Sequence, residues 1–379
     1  MRSSRTITLI SALTLVGAVA ATGPLRAVAD GDQSGQHGRD DTGSSRSSRA
    51  VEIGVFGDMP YGDYGRAHFP NVLSDMNRSG LDFSVFVGDT KNGKEACYAD
   101  PHPSNPANPT PEKAVADATH PDVYTAALKV FNSLEAPVVY VPGDNEWTDC
   151  DRTSIAGGAV ADSSDRLAYL RKLSYPTDLT LGQRPMTVTR QSAAYPENVR
   201  WETKGITSIG LNVPGSDNNF SLGGKDGPAA EAQAEYAARN AANLDWLRQG
   251  FAAAKAKGST GIAVFIQADM WDPTATVTHF EDTKKELFRQ TVAFPGQVLL
   301  VNGDSHHFTV DKPLTDYATT NAAGLSGPNT IENFTRVTGF GEDQNHWVSI
   351  TADRKDPNVF DIRQHVVAAN VPAYTPPTG

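Results

Sequence analysis

Nowhere does the sequence carry the run of about twenty apolar residues that spans a bilayer. The nearest approach, Ile7 to Ala21, is short and rich in alanine. Arg2 and Arg5 precede it and Ala27-Val28-Ala29 follows, the pattern of a signal peptide cleaved before Asp30. Residues 1–29 are therefore expected to direct secretion to the extracellular space, with no membrane association after cleavage. Cysteine is almost absent: Cys97 and Cys150 are the only two, so at most one disulfide can form within the chain. Positive charge is in deficit as well. The net charge is −11 and grows more negative once Arg2, Arg5 and Arg26 leave with the signal, which argues against a nucleic-acid-binding surface. Residues 30–50 hold Gly, Ser, Asp and Arg with almost nothing to bury, as in a disordered leader. The remainder, 51–379, is long enough for one large domain or two small ones and has no internal repeat beyond one short figure.

That figure is an apolar strand ending in Gly-Asp. Val138 to Val141 is a β-branched and aromatic run that Pro142-Gly143 stops before Asp144, Asn145 and Glu146. The same step follows Val51–Phe56 at Gly57-Asp58, Phe83–Val87 at Gly88-Asp89, and Val298–Val301 at Asn302-Gly303-Asp304. A single Gly-Asp after a strand reads as a turn or a helix cap. Repetition at four strand ends reads differently, because open sheets bind ligands beyond the carboxyl ends of their strands. Carboxylates gathered there repel one another strongly unless cations lie between them. The steps therefore predict one metal-centred site, with each glycine letting the backbone turn away from its strand.

Between the steps the chain alternates. Arg66 to Ser79 reads as a helix, Cys97 to Pro121 as a loop, and Asp122 to Leu134 as a second helix, so the first half is βαβαβ with a mostly parallel sheet. Ser164 to Leu173 predicts a short helix. Met186 to Thr203 and Ile206 to Val213 predict strands of a second, antiparallel layer, and Asn212 to Pro228 a loop over the site. A long helix runs from Pro228 to Gly258 with Leu244, Leu247 and Phe251 inward and Trp246 packed. Gly261 to Ile266, ending in Gln267, Ala268 and Asp269, is a buried strand, and a helix follows around Lys284 to Val292. Arg336 to Phe340, Trp347 to Thr351 and Val359 to His365 alternate like strands completing the second sheet. Cys97 and Cys150 leave the same end of neighbouring strands in an exported protein, which predicts a disulfide; two free or metal-binding thiols are the alternative.

The order of these motifs resembles that of the calcineurin-like metallophosphoesterases, over nearly all of Val51 to Val366. That family's D-x-H, G-D, G-N-H-E/D, lone His and G-H-x-H correspond to Asp58-Met59-Pro60, Gly88-Asp89, Gly143-Asp144-Asn145-Glu146, Gln267 and Gly303-Asp304-Ser305-His306. The resemblance implies a four-layer αββα sandwich of two mixed sheets flanked by helices. It also implies one metal held by Asp58, Asp89 and His306 and a second by Asp89, Asp144, Gln267 and Asp304, with Asp89 bridging. Most of the family's histidines are replaced here: Pro60, Asn145, Gln267 and Asp304 stand at histidine positions, and Asp144 stands for an asparagine. The remaining donors are mostly oxygens, which favours two hard cations, Mn²⁺, Mg²⁺ or Ca²⁺, over Zn²⁺ or iron. Tyr61 and Asp63 are candidates to compensate for Pro60.

Two cationic side chains flank the motifs. Lys91 reads as a phosphate partner, a stand-in for a missing cation, or a solvated loop lysine. Arg152 reads as a phosphate clamp or as an ion-pair partner of Asp149 or Asp151. His307 alternates away from His306, His346 reads as the edge of a strand, and His68, His102, His120 and His279 lack a spacing partner. Two functional classes follow. One is a secreted metal-dependent hydrolase of a phosphodiester or activated phosphomonoester, since Asn145 cannot protonate a leaving group and Glu146, Asp269 or His346 would have to. The other is a catalytically inactive secreted binding protein that keeps the fold.

Overall fold

The computed structural model of the chain describes residues 50–97, 123–152, 162–220, 229–274, 278–315 and 330–371, all within the unit Arg46–Gly379. The expected signal peptide and, Ala50 apart, the expected leader lie outside the described residues, as do 98–121 of the expected loop, Asp122 of the expected helix after it, and residues 221–228.

Strands that are mostly apolar on both faces pair in parallel and are covered on both sides. β1 (Val51–Phe56), β2 (Phe83–Val87) and β3 (Val138–Val141) do so, side by side. α1 (Gly62–Arg78) connects β1 to β2 and buries Phe69, Val72 and Met76, starting a turn earlier than the spacing predicts. α2 (Val123–Phe131) leads into β3. α3 (Ser163–Ser174) begins where the Asp162 carboxylate accepts the Asp165 N–H at 2.7 Å.

The second sheet has the order β4-β5-β6-β7-β8-β10-β9. Its strands are β4 (Thr189–Arg190), β5 (Val199–Thr203), β6 (Ile206–Gly210), β7 (Gly261–Phe265), β8 (Gln297–Asn302), β9 (Thr309–Asp311) and β10 (Phe334–Thr338). The expected strand from Met186 to Thr203 is two strands, because the chain doubles back between them, where the Gln191 N–H donates to Asn198 O. Its centre is parallel rather than antiparallel: β6, β7, β8 and β10 run together, and α5 (Ala229–Lys257) and α6 (Glu281–Val292) return the chain between β6, β7 and β8.

A second correction concerns the C-terminal strands. Only β10 joins the second sheet. β11 (Trp347–Ala352) and β12 (Phe360–His365) return to the first, with β11 antiparallel to β1 and β12 at the edge.

The core follows from strand alternation. Ala263 and Phe265 point between the sheets, while Ile262 and Val264 pack with Leu247 and Phe251 of α5 and Leu287 of α6. Trp246 packs there too, as expected, and Leu244 is half-buried. Across the sandwich Phe83 meets Trp201 edge-on at 5.3 Å and Trp201 stacks on Phe265 at 5.9 Å. Each fully buried aromatic contributes about 1.5–3 kcal/mol of transfer free energy. The result is the four-layer sandwich of two mixed sheets flanked by helices, with β1, β2, β3 and β8 delivering their Gly-Asp steps to one region.

Candidate functional site

Asp58, Asp89 and Asp304 adopt left-handed backbone, with φ of 51°, 67° and 74°, a conformation that short polar side chains tolerate better than most. The aspartates therefore make the turns that the preceding glycines were expected to make, except at Gly88, whose φ is 91°. At Gly143 and Gly303 glycine serves a different need. A Cβ at Gly143 would collide with Asp89 Oδ1, and one at Gly303 with Asp58 Oδ2, so the absent side chains leave room for carboxylates of neighbouring strands.

The four aspartates meet. Asp58 accepts the Asp304 N–H on both oxygens, at 3.0 and 3.1 Å, and its Oδ1 lies 3.4 Å from His306 Nε2. Asp89 Oδ1 accepts the Asn145 N–H at 3.0 Å. Its Oδ2 accepts from Tyr61 Oη at 3.1 Å, Asn145 Nδ2 at 2.9 Å and Gln267 Nε2 at 3.1 Å. The same Gln267 nitrogen faces Asp144 Oδ1 at 3.1 Å and Asp304 Oδ1 at 3.3 Å. Its Oε1 accepts the Gly215 N–H. Ser216 Oγ contacts Asp144 Oδ2 at 2.6 Å, and the Asp269 N–H donates to Asp304 Oδ2 at 3.0 Å.

Charge compensation is incomplete. Burial, then repulsion from Asp144, Glu146, Asp58 and Asp304, holds the Asp89 carboxyl well above the usual range. Burial and then Asp144 and Asp58 do the same to Asp304. Burial also raises Asp58, although His306 and the Asp304 N–H oppose it. His306 is raised to about 9: burial opposes its charge, but Asp58 and then Glu342 outweigh burial.

Other expected residues sit as follows. Glu146 is fully buried, accepting from the Thr90 N–H, Tyr140 Oη and the Gly143 N–H at 2.8, 3.0 and 3.1 Å, so it pins the loops beside Asp89. Lys91 is not a solvated lysine: it is buried, and its ammonium donates to Asn92 O and Glu95 O. Arg152 pairs with Asp149 at 2.7 Å and donates to Ser216 Oγ at 2.8 Å, one hydroxyl away from Asp144. Tyr61 reaches the cluster, whereas the Asp63 side chain is exposed. Asp269 is ion-paired with buried Arg336, and His346 accepts the Val367 N–H on Nδ1. His307 is exposed. Cys97 and Cys150 form a disulfide that ties the loop after β2 to the loop after β3. Sequence reasoning missed Gly215 and Ser216, Glu342 and Arg336. Of these only the Gly215 to Asn219 run had a signal, its left-handed-tolerant residues.

Among the described residues no group of three or more His, Cys, Asp or Glu side chains is placed to hold a metal ion. Where Asp89, Asp144 and Asp304 converge, Gln267 Nε2 is present instead. The donor chemistry nevertheless fits a hard cation. These buried oxygens lack full counter-charge, and their raised pKa values express the same shortage.

No family model matches the sequence, and no curated protein matches it. Among solved structures, a dimetal phosphatase from Danio rerio is similar at 10% identity over 84% of this chain and 99% of that chain, with a TM-score of 0.47. GAP50, the anchor in the inner membrane complex of Plasmodium, is similar at 10% identity over 84% of this chain and 89% of that chain, with a TM-score of 0.41.

Proposed function

We propose that the chain is an exported, cation-dependent phosphoester hydrolase. One observation carries this reading: four Gly-Asp carboxylates from both sheets converge with only partial positive compensation. A bound divalent cation would supply that counter-charge and polarise the phosphoryl group of a phosphoester. Asp58, Asp89 and His306 would hold one cation, and Asp89, Asp144 and Asp304 a second. Gln267 would join the second set only after its carboxamide turned its oxygen inward. Mn²⁺, Mg²⁺ or Ca²⁺ suit these oxygens better than Zn²⁺ or iron.

Within this reading each neighbouring side chain has a task. Asn145 holds Asp89 and Tyr61 in place and has no proton to give a leaving group at accessible pH. The substrate is therefore a phosphodiester or activated monoester whose leaving group departs unprotonated. Arg152 offers a guanidinium beside Asp144 through Ser216 and would orient a phosphate oxygen. The 97–150 disulfide favours an oxidising compartment, consistent with the signal pattern of residues 1–29.

A second reading, a binding protein without turnover, is favoured by the four donor contacts that already fill Asp89. Metal content of the mature protein, followed by a panel of mono- and diesters with added Mn²⁺, Mg²⁺ and Zn²⁺, separates the two. The hydrolase reading expects bound cation and turnover strongest with Mn²⁺ or Mg²⁺. Less than one cation per chain and no cation-stimulated turnover would leave the binding reading.

A further inference from the structure

Left-handed backbone is unfavourable for residues that carry a Cβ, yet after Gly215 the chain holds it four times in succession. Ser216, Asp217, Asn218 and Asn219 have φ of 49°, 50°, 58° and 62°. Together with Gly215 they form α4 (Gly215–Asn218) and the residue that caps it, Asn219. The turn is braced from three sides. Arg239, fully buried, donates to Asn212 O at 3.0 Å, Asn218 Oδ1 at 2.6 Å and Asn218 O at 2.9 Å. Asp217 Oδ1 accepts the Thr278 and His279 N–H groups at 2.9 and 3.0 Å, and Asn219 Nδ2 donates to Glu235 at 2.9 Å. Strain maintained by this many partners marks a conformation the site requires.

What the turn delivers is the Gly215 N–H to Gln267 Oε1. A carboxamide carries its acceptor and its donors on opposite branches, so fixing Oε1 fixes Nε2 toward Asp89, Asp144 and Asp304. Those three carboxylates offer more acceptors than the amide has protons, so a cation would compensate them better. Only glycine fits at 215, because a Cβ there would lie 2.7 Å from Asp304 Oδ1 and 2.9 Å from Asp144 Oδ2.

We infer that the left-handed turn at 215–219 is a positioning device that holds the Gln267 amide nitrogen in the carboxylate junction, where it competes with a cation for Asp89, Asp144 and Asp304. The inference rests on the reading of the cluster as a cation site. It makes Gln267 an antagonist of cation binding where a ligand would be expected.

The experiment is Mn²⁺ titration calorimetry on chelated mature protein, with melting temperatures in parallel, for the parent, Gln267→Ala, Gln267→Glu and Asn218→Ala. Gln267→Ala is expected to bind Mn²⁺ at least as tightly as the parent, and Gln267→Glu about tenfold or more tighter, while both melt lower without cation. Asn218→Ala loosens the turn without touching a carboxylate. It is expected to melt lower and yet bind Mn²⁺ more tightly, an opposition that a merely structural role would not produce. Weakening of Mn²⁺ binding in Gln267→Ala or Asn218→Ala would overturn the inference while leaving the hydrolase reading intact. Failure of both the parent and Gln267→Glu to bind would overturn both. Binding by both Gln267→Ala and Gln267→Glu but not by the parent would support the inference and reject the hydrolase reading for the parent, whereas binding by Gln267→Glu alone would overturn the inference, because the new carboxylate would then act only as an added ligand.

Discussion

The two halves of the carboxylate cluster are compensated by different means. On one side Asp58 has a charged neighbour, His306, and a backbone N–H shared between its oxygens. On the other, Asp89, Asp144 and Asp304 share one neutral amide. A dipole satisfies hydrogen-bonding geometry without cancelling charge, so repulsion persists on the second side, where burial and neighbouring carboxylates hold Asp89 and Asp304 well above the usual range. The comparison teaches that hydrogen-bonded contact and charge neutrality are separate requirements, and that the Gln267 amide supplies the first without the second.

Removing the residue assigned to both proposed cation sites tests this most severely. Asp89→Ala is expected to lower cation-stimulated hydrolysis of an activated phosphodiester at least about a thousandfold, or ~4 kcal/mol in the barrier, read from steady-state rates at saturating Mn²⁺. A smaller and one-sided effect is expected of His306→Gln: about a ten- to hundredfold loss of affinity at one cation site, seen in calorimetry as one weakened and one unchanged event. Two equally weakened events would erase the distinction between the halves. The smallest effect on rate belongs to Asn145→Ala. An activated diester needs no leaving-group proton, so turnover stays within about threefold of the parent. The lost amide contacts to Asp89 and Tyr61 lower stability by about 1–2 kcal/mol in denaturant melts.

Much of this arrangement was legible before any coordinates. The Gly-Asp steps ended β1, β2, β3 and β8 because each follows a mostly apolar run, and such runs report local burial. The disulfide followed from two cysteines leaving neighbouring strand ends. Partition of the last strands between the sheets was not legible: β10 and β11 are both largely buried and alternate alike, and only pairing with β8 or with β1 distinguishes them. The direction of the Gln267 amide was equally hidden, since the N–H that sets it belongs to Gly215, 52 residues earlier. Lys91 misled because adjacency to Asp89 in sequence says nothing about where a four-carbon side chain ends; its ammonium closes its own loop.

The most direct test of the cluster as a cation site is thermal unfolding of the chelated mature protein across pH, with and without Mn²⁺. Asp58, Asp89 and Asp304 have folded pKa values raised above the unfolded value of about 4. Their contribution to stability is therefore fully present below about pH 4 and is lost as pH rises through the raised folded values. The account predicts that the melting temperature of the Mn²⁺-loaded protein pulls away from that of the chelated protein as pH rises, because the cation supplies the charge the amide cannot. Coincident curves at every pH would contradict it.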